Sequence, residues 1–520
     1  MMHKNTAKGA ASLYLSNLIA LFVITGHFVV LTNTLSITNI GIIFGFQILM
    51  YLIATLATFC LPIPIMSPLP LPHAITKFIP DFIASGNKGK ANTIFKYSLF
   101  LTIIISISIL IIIFINIQII NQSFFNGTIT NPIIFIALIQ IFFFSLNQFL
   151  FGGMVAIGDS YKAGLIQVVS IIIRYTLAAV FAILGFGITG VLFGYFIGDL
   201  VFSIISLPLC YNKLKGKKQP VDINEIIDYS FPILISSLII FSVTQIDRIF
   251  ALINLGLPEL GIYTIAIAAS TIGAYAPNAL ATAITPNLAA LNSLNKIKEF
   301  KNLSKLYTRY ISFIGMPAAF MIASLSIPLT LIFGEQYTAS AIPAAIISIA
   351  IGLTTFSSIY NSQLFVKRKT RWIMFSNIVG LFVFIFIILA SQTYTGNTNV
   401  SSLAIGRASM VLITAILISY KSFKLGDMEY DKQAIINSLL GSIIMSVILF
   451  SLYQGFYNYI SNILLLFILI PVGIIIYIAI LRQTKTFNEQ DFNFIVKIIS
   501  LKSIKIKMLL KKILGIKSVQ

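Results

Sequence analysis

The sequence predicts an all-α polytopic membrane protein of about fourteen transmembrane helices, and three observations carry that prediction. Only 10% of the 520 residues are charged and 58% are hydrophobic, whereas a soluble domain carries about 25% charged residues. The apolar residues also run together, as in 103–115 and 464–480, and about 20 mostly apolar residues suffice to cross roughly 30 Å of hydrocarbon. Those runs show none of the period-two alternation of barrel strands. Helices are then the remaining way to satisfy the backbone in lipid.

Taken in order, the apolar segments place the first six spans at 10–31, 40–66, 94–120, 132–157, 163–184 and 187–211. Six more fall at 230–253, 260–290, 308–333, 340–365, 372–391 and 401–420, and a last pair at 435–454 and 462–481. Pro62 and Pro64 in the second span, and Pro277 and Pro286 in the eighth, predict kinks, which membrane helices tolerate. Gly190, Gly194 and Gly198 form two overlapping GxxxG patterns on the sixth span, read as a close-packing face.

Charge orients these spans. With the N-terminus in the cytosol, the inward connections and both ends of the chain hold 32 of the 35 Lys and Arg residues, and the outward loops hold none. This is the positive-inside asymmetry. It accounts for the net charge of +20 through orientation and attraction to anionic headgroups, so no nucleic-acid partner is expected. The first apolar run lacks a small-residue cleavage site, so no cleavable signal peptide is expected. Cys60 and Cys210 fall in or near spans and read as packing residues. The basic tail, 494–514, is expected along the headgroups. Sequons at Asn121, Asn126 and Asn399 fall in outward loops.

The chain repeats itself weakly. An offset of 220 lays Leu35-Ser36-Ile37-Thr38-Asn39-Ile40-Gly41-Ile42 on Leu255-Gly256-Leu257-Pro258-Glu259-Leu260-Gly261-Ile262. Both stretches end one span, turn outside and enter the next through a Gly-Ile pair. Because six spans return the chain to its starting side, the two halves share one orientation. This divides the chain into 1–211, a basic linker 212–229, 230–420, an appended helix pair 435–481 and a basic cytosolic tail 482–520.

Several motifs then fall in a recognisable order: Asp228-Tyr229-Ser230-Phe231-Pro232, Gln245-Ile246-Asp247-Arg248, Leu260-Gly261-Ile262-Tyr263, Thr285-Pro286-Asn287-Leu288 and Ile332-Phe333-Gly334-Glu335-Gln336-Tyr337. Through them the chain resembles the polysaccharide and lipid-linked oligosaccharide flippases of the multidrug/oligosaccharidyl-lipid/polysaccharide (MOP) exporter superfamily. Pro62 to Pro72 departs from the glycine-containing segment of that family. The resemblance implies two six-helix bundles with pseudo-twofold symmetry around a cavity that opens alternately to each side. Its cargo would be an oligosaccharide on a polyprenyl or dolichyl (pyro)phosphate, moved from the cytosolic to the outer leaflet of a prokaryotic plasma (inner) membrane. The last two helices would flank a groove for the lipid tail.

Three basic residues escape the cytosolic face: Arg174 near the middle of the fifth span, and Arg248 and Arg407 in the outer halves of the seventh and twelfth. An arginine in the bilayer is a functional candidate, and its fixed, bidentate charge suits a phosphate headgroup. The competing reading is an internal ion pair, Arg174 with Asp199 and Arg407 with Asp247. Asp199 and Asp247 are themselves candidates for ion coupling or for such pairing. His27 reads as a packing residue.

The outward loops are short, with Glu259 and Glu335 their only acids, and no acidic pair, metal cluster or nucleophile constellation occurs. A polytopic glycan polymerase or glycosyltransferase is therefore disfavoured, and neither catalytic residues nor a cofactor is expected. An ion-coupled drug or metabolite exporter of the same superfamily is the nearer alternative. The expected partners are the lipid-linked oligosaccharide, membrane lipids and glycan-assembly enzymes, around a monomer.

Overall fold

A computed structural model describes residues 22–58, 73–217, 219–426 and 428–498, and among these no strand occurs. By their internal contacts the residues divide into two units, Met1–Thr264 with Thr395–Val400, and Ile265–Tyr394 with Ser401–Gln520.

The first unit holds α1 (Phe22–Thr34), α2 (Ile37–Thr58), α3 (His73–Ala84), α4 (Lys88–Ile115), α5 (Ile117–Phe125), α6 (Asn131–Ala156), α7 (Ser160–Ile183), α8 (Gly187–Lys213) and α9 (Ile223–Phe250). A π-helical turn, Ala251–Leu255, follows α9 and leads to α10 (Leu257–Thr271), whose later residues belong to the second unit. That unit continues with α11 (Tyr275–Ser293), α12 (Ile297–Ser324), α13 (Ser326–Leu331), α14 (Ala341–Thr354) and α15 (Ser357–Val366). It ends with α16 (Thr370–Thr395), α17 (Val400–Lys424), α18 (Lys432–Phe456), α19 (Asn462–Gln483) and α20 (Glu489–Ile498).

Twelve of the described helices are long and apolar enough to cross a membrane, and they answer to twelve of the fourteen expected spans. The first expected span falls partly on residues outside the described ones, and its described part is α1. The ninth is divided: α12 carries its charged N-terminal turns, and the chain breaks at Leu325 before α13. The eighth is broken too, because a 3₁₀ turn at Ile272–Ala274 separates α10 from α11 just ahead of Pro277. Pro277 offers no N–H to the Gly273 carbonyl four residues back, and its ring crowds that carbonyl. The third span breaks at Asn116, whose side chain donates to the Ile112 carbonyl at 2.8 Å and so competes with the helical ladder. The kink expected at Pro62 and Pro64, the contacts of Cys60 and most of the basic tail lie outside the described residues.

The small-residue face expected on the sixth span is present. A Cβ on Gly194 would stand 2.7 Å from Ala178 Cα, and one on Gly198 would stand 2.6 Å from Arg174 Cα. Glycine is what lets α8 lie against α7 at backbone distance. Helix α3 was not expected. It is a short amphipathic helix that buries Ile75, Phe78 and Ile79 against Phe95, Phe149 and Phe202, while Lys77 and Asp81 stay exposed. The basic linker is tied down beside it: Asn92 Nδ2 donates to the Gly216 carbonyl at 2.7 Å, and Gln219 N donates to Thr93 Oγ1 at 3.2 Å.

In the second unit the appended pair packs on α12. Met445, Leu449, Leu465 and Leu469 bury against Phe320 and Leu325. Ser438 Oγ donates to the Ser312 carbonyl at 2.8 Å and lies 2.8 Å from the Tyr477 hydroxyl.

Candidate functional site

A buried polar cluster in the first unit is built around Asp199 and Arg174. Gly198 brings the α8 backbone onto Arg174, and the Ser170 hydroxyl donates to the Gly198 carbonyl at 2.7 Å. The carboxylate of the next residue, Asp199, thus reaches the Arg174 guanidinium: Nη1 donates to Oδ1 at 3.0 Å and to Oδ2 at 3.2 Å. Two amides on α6 complete the carboxylate's shell. Gln140 Nε2 donates to Oδ2 and Asn147 Nδ2 to Oδ1, both at 3.1 Å. Arg174 is 6% exposed and Asp199 1%, so the pair is withdrawn from solvent. Removing one partner of such a pair costs about 3–5 kcal/mol, because it leaves the other charge buried alone.

Aromatic rings surround the guanidinium: Tyr195 at 4.7 Å, Phe144 at 5.3 Å and Tyr175 at 5.5 Å from its carbon to the ring centroids. Each distance is within range of a cation–π contact. His27 is part of this wall, with Nε2 2.8 Å from the Tyr195 hydroxyl and its ring 4.9 Å from that of Tyr175. The ion pair leaves much of the arginine unused. Nη2 reaches only the Met50 thioether at 3.8 Å, and Nε is buried with no hydrogen-bond partner among the described residues.

Arg248 and Asp247 sit on the last turn of α9. The Tyr263 hydroxyl donates to Asp247 Oδ2 at 2.8 Å, and the Arg248 backbone N–H donates to Oδ1 at 2.9 Å. The Arg248 guanidinium turns to Gln245 Oε1 at 3.2 Å. Arg407 belongs to the second unit, half-buried near the start of α17.

Gln140 and Asn147 were missed by the sequence reading. Their seven-residue spacing, two helical turns on one face of an otherwise apolar span, is the signal that could have found them. Arg309 was missed as well, being counted only among the inward charges. It is 6% exposed, with Nε and Nη2 on the two oxygens of Asp491 at 2.9 and 2.6 Å and Nη1 on Asp431 at 2.6 Å. Nη2 also donates to the Thr486 carbonyl. This one side chain joins α12 to the start of α18 and to α20. Beside it lies a cleft of about 880 Å³ lined by Asn302, Lys305, Tyr310, Asn488 and Gln490. Among the described residues no His/Cys/Asp/Glu group suited to a metal ion occurs.

A family described as "Polysaccharide biosynthesis protein" matches residues 85–342, while no curated protein matches the chain. Among solved structures, the lipid II flippase MurJ in an inward closed conformation aligns with a TM-score of 0.67 at 13% identity, covering 91% of this chain and 97% of that one. The MATE transporter VcmN of Vibrio cholerae aligns with a TM-score of 0.59 at 13% identity, covering 82% and 97%. A MOP superfamily transporter from Pyrococcus furiosus aligns with a TM-score of 0.57 at 16% identity, covering 80% and 95%. At such identities the likeness is one of fold.

Proposed function

We propose that the chain is a flippase of the MOP exporter superfamily, which moves a polyprenyl- or dolichyl-(pyro)phosphate-linked oligosaccharide between membrane leaflets. It would act by alternating access, without a cofactor, in the plasma (inner) membrane of a prokaryote with both termini cytosolic. The observation that carries this reading is Arg174, whose guanidinium is buried and aromatic-walled and spends a single nitrogen on Asp199. A buried donor left unmatched costs about 1–3 kcal/mol. The Nε–Nη2 edge is also the fork geometry that takes a phosphate in bidentate fashion. Arg248 and Arg407 are proposed as further phosphate or sugar contacts, and Asp199 and Asp247 as groups for ion coupling or ion pairing. The polysaccharide family description supports a glycan cargo, and the fourteen-span plan supports a lipid tail. A second reading, an ion-coupled exporter of drugs or metabolites, draws on the MATE-like fold and on the carboxylate of Asp199.

Arg174 variants separate a phosphate role from a structural one. A charge-assisted hydrogen bond contributes about 1.5–3 kcal/mol, so Arg174→Ala should cut headgroup affinity about tenfold or more, a loss that persists when Asp199→Asn removes the stranded carboxylate and restores abundance. Arg174→Lys should restore part of the activity, since the charge returns without the fork. A purely structural pair predicts instead that Arg174→Ala lowers abundance and that adding Asp199→Asn restores both abundance and activity. Full translocation by Arg174→Ala at normal abundance would remove this residue from the cargo path.

A further inference from the structure

The two stretches related by the internal repeat touch each other, and they do so reciprocally. A Cβ on Gly41 would overlap the Leu257 carbonyl oxygen and stand 2.6 Å from its carbonyl carbon. A Cβ on Gly261 would stand 2.8 Å from the Ile37 carbonyl oxygen and 3.4 Å from Gly41 N. The offset of 220 that pairs Gly41 with Gly261 also pairs Ile37 with Leu257. Each glycine therefore meets the repeat-mate of the residue its own counterpart meets. Such an exchange is the signature of an isologous contact across a twofold axis, here formed within one chain and inside the first unit.

We propose that Gly41 and Gly261 form a reciprocal backbone seal that closes the transport path at the end of the molecule free of lysine and arginine. The seal needs glycine because both partners present carbonyl groups, which cannot yield as a flexible side chain can. Its surroundings are apolar and dry: Ile40, Leu257 and Leu260 are each at most 1% exposed. On one side the chain also holds the means to release it. The last turn of α9 widens into the π-helical turn Ala251–Leu255, and Gly256, at φ +103°, sets the direction in which α10 leaves. π-Turns of this kind concentrate at functional sites. Two like surfaces meeting on an axis can part by equal rotations of the two repeats, so the contact is made or lost as a whole. The proposal rests on the transporter fold and is independent of the cargo.

Two arms test it, both in a background with Cys60→Ser and Cys210→Ser. In the first, Leu257→Cys reports access to a membrane-impermeant maleimide in intact cells. With both glycines present it should label slowly. Gly41→Ala should raise the rate about tenfold or more by holding the seal open, and Gly261→Ala should raise it less. Gly26→Ala, whose Cβ would meet nothing within 4 Å, should leave it unchanged. In the second arm Ile37→Cys and Gly261→Cys should cross-link on mild oxidation, because a Cβ on Gly261 lies 3.3 Å from Ile37 Cγ2. A protease site inserted after Gly216 then distinguishes linked from unlinked chain on a non-reducing gel. Labelling of Gly41→Ala at the parental rate and normal abundance would overturn the proposal. Should Gly41→Ala fail to reach the membrane, labelling of Gly261→Ala at the parental rate and normal abundance would overturn it alone.

Discussion

Arg174 and Arg309 are both 6% exposed and both pair with aspartate, yet they make different demands on the chain. Arg174 has one carboxylate and an unmatched Nε, whereas Arg309 has two carboxylates and a carbonyl, so its donors are spent on holding helices together. Arg174 was legible because it interrupts an apolar run. Arg309 was not, since it stands at the edge of a basic connection and its partners, Asp431 and Asp491, lie 122 and 182 residues further on. The Arg309 clamp predicts a pH dependence. Burial works to raise the Asp431 carboxyl's pKa, but the Ala434 N–H and the bond and charge of Arg309 hold it below its usual value. A carboxylate whose native pKa is depressed stabilises fully above its unfolded value of about 3.9 and loses that contribution as pH falls through the native one. Thermal unfolding in detergent should therefore occur at progressively lower temperature as pH drops below about 5. Arg309→Met should lower the midpoint at neutral pH and flatten the acid limb; an acid limb of unchanged steepness in that variant would contradict the clamp.

Among the elements, those set by glycine and by apolar length were read correctly, and those set by distant partners were not. The GxxxG pattern on α8 announced the approach to α7, and the approach in turn places Asp199 on Arg174. A β-branched residue at Gly194 should therefore break the site as well as the packing, since its Cβ would lie 2.7 Å from Ala178 Cα. Gly194→Val should lose most of its membrane abundance, by the overpacking cost of about 1–3 kcal/mol or more. Gly455→Ala, with nothing within 4 Å, should not; equal abundance of the two would refute the packing account. Helix α3 escaped notice because its twelve residues, too few to span, lie between two spans and alternate apolar and charged faces over barely three turns. The breaks at Asn116 and Leu325 escaped because composition does not change there. The break at Asn116 follows from a local side-chain hydrogen bond, which hydropathy does not register.

For the molecule as a whole, the distribution of lysine and arginine predicts which ends of the helices face the cytosol. Cysteines introduced at Thr34 and Asn397 should label from outside intact cells and one at Gly216 should not; outside labelling at Gly216 would invert every placement. The stretches that the offset of 220 pairs at Gly41 and Gly261 meet at backbone distance within the first unit, which no sequence pattern announced. What the sequence could not supply was the fate of each buried charge, because partners such as Gln140 and Asp199 come from helices 59 residues apart.

Whether the buried arginine handles phosphate is open to one direct measurement: the purified protein reconstituted in vesicles carrying a fluorescent polyprenyl-diphosphate oligosaccharide, with accessible fluorophore quenched by an impermeant reductant. The flippase reading predicts protein-dependent quenching beyond one leaflet's share, suppressed by excess polyprenyl diphosphate and lost in Arg174→Ala. Quenching confined to one leaflet, from protein that exchanges a cationic drug for protons or sodium in the same vesicles, would contradict it and establish the exporter reading instead.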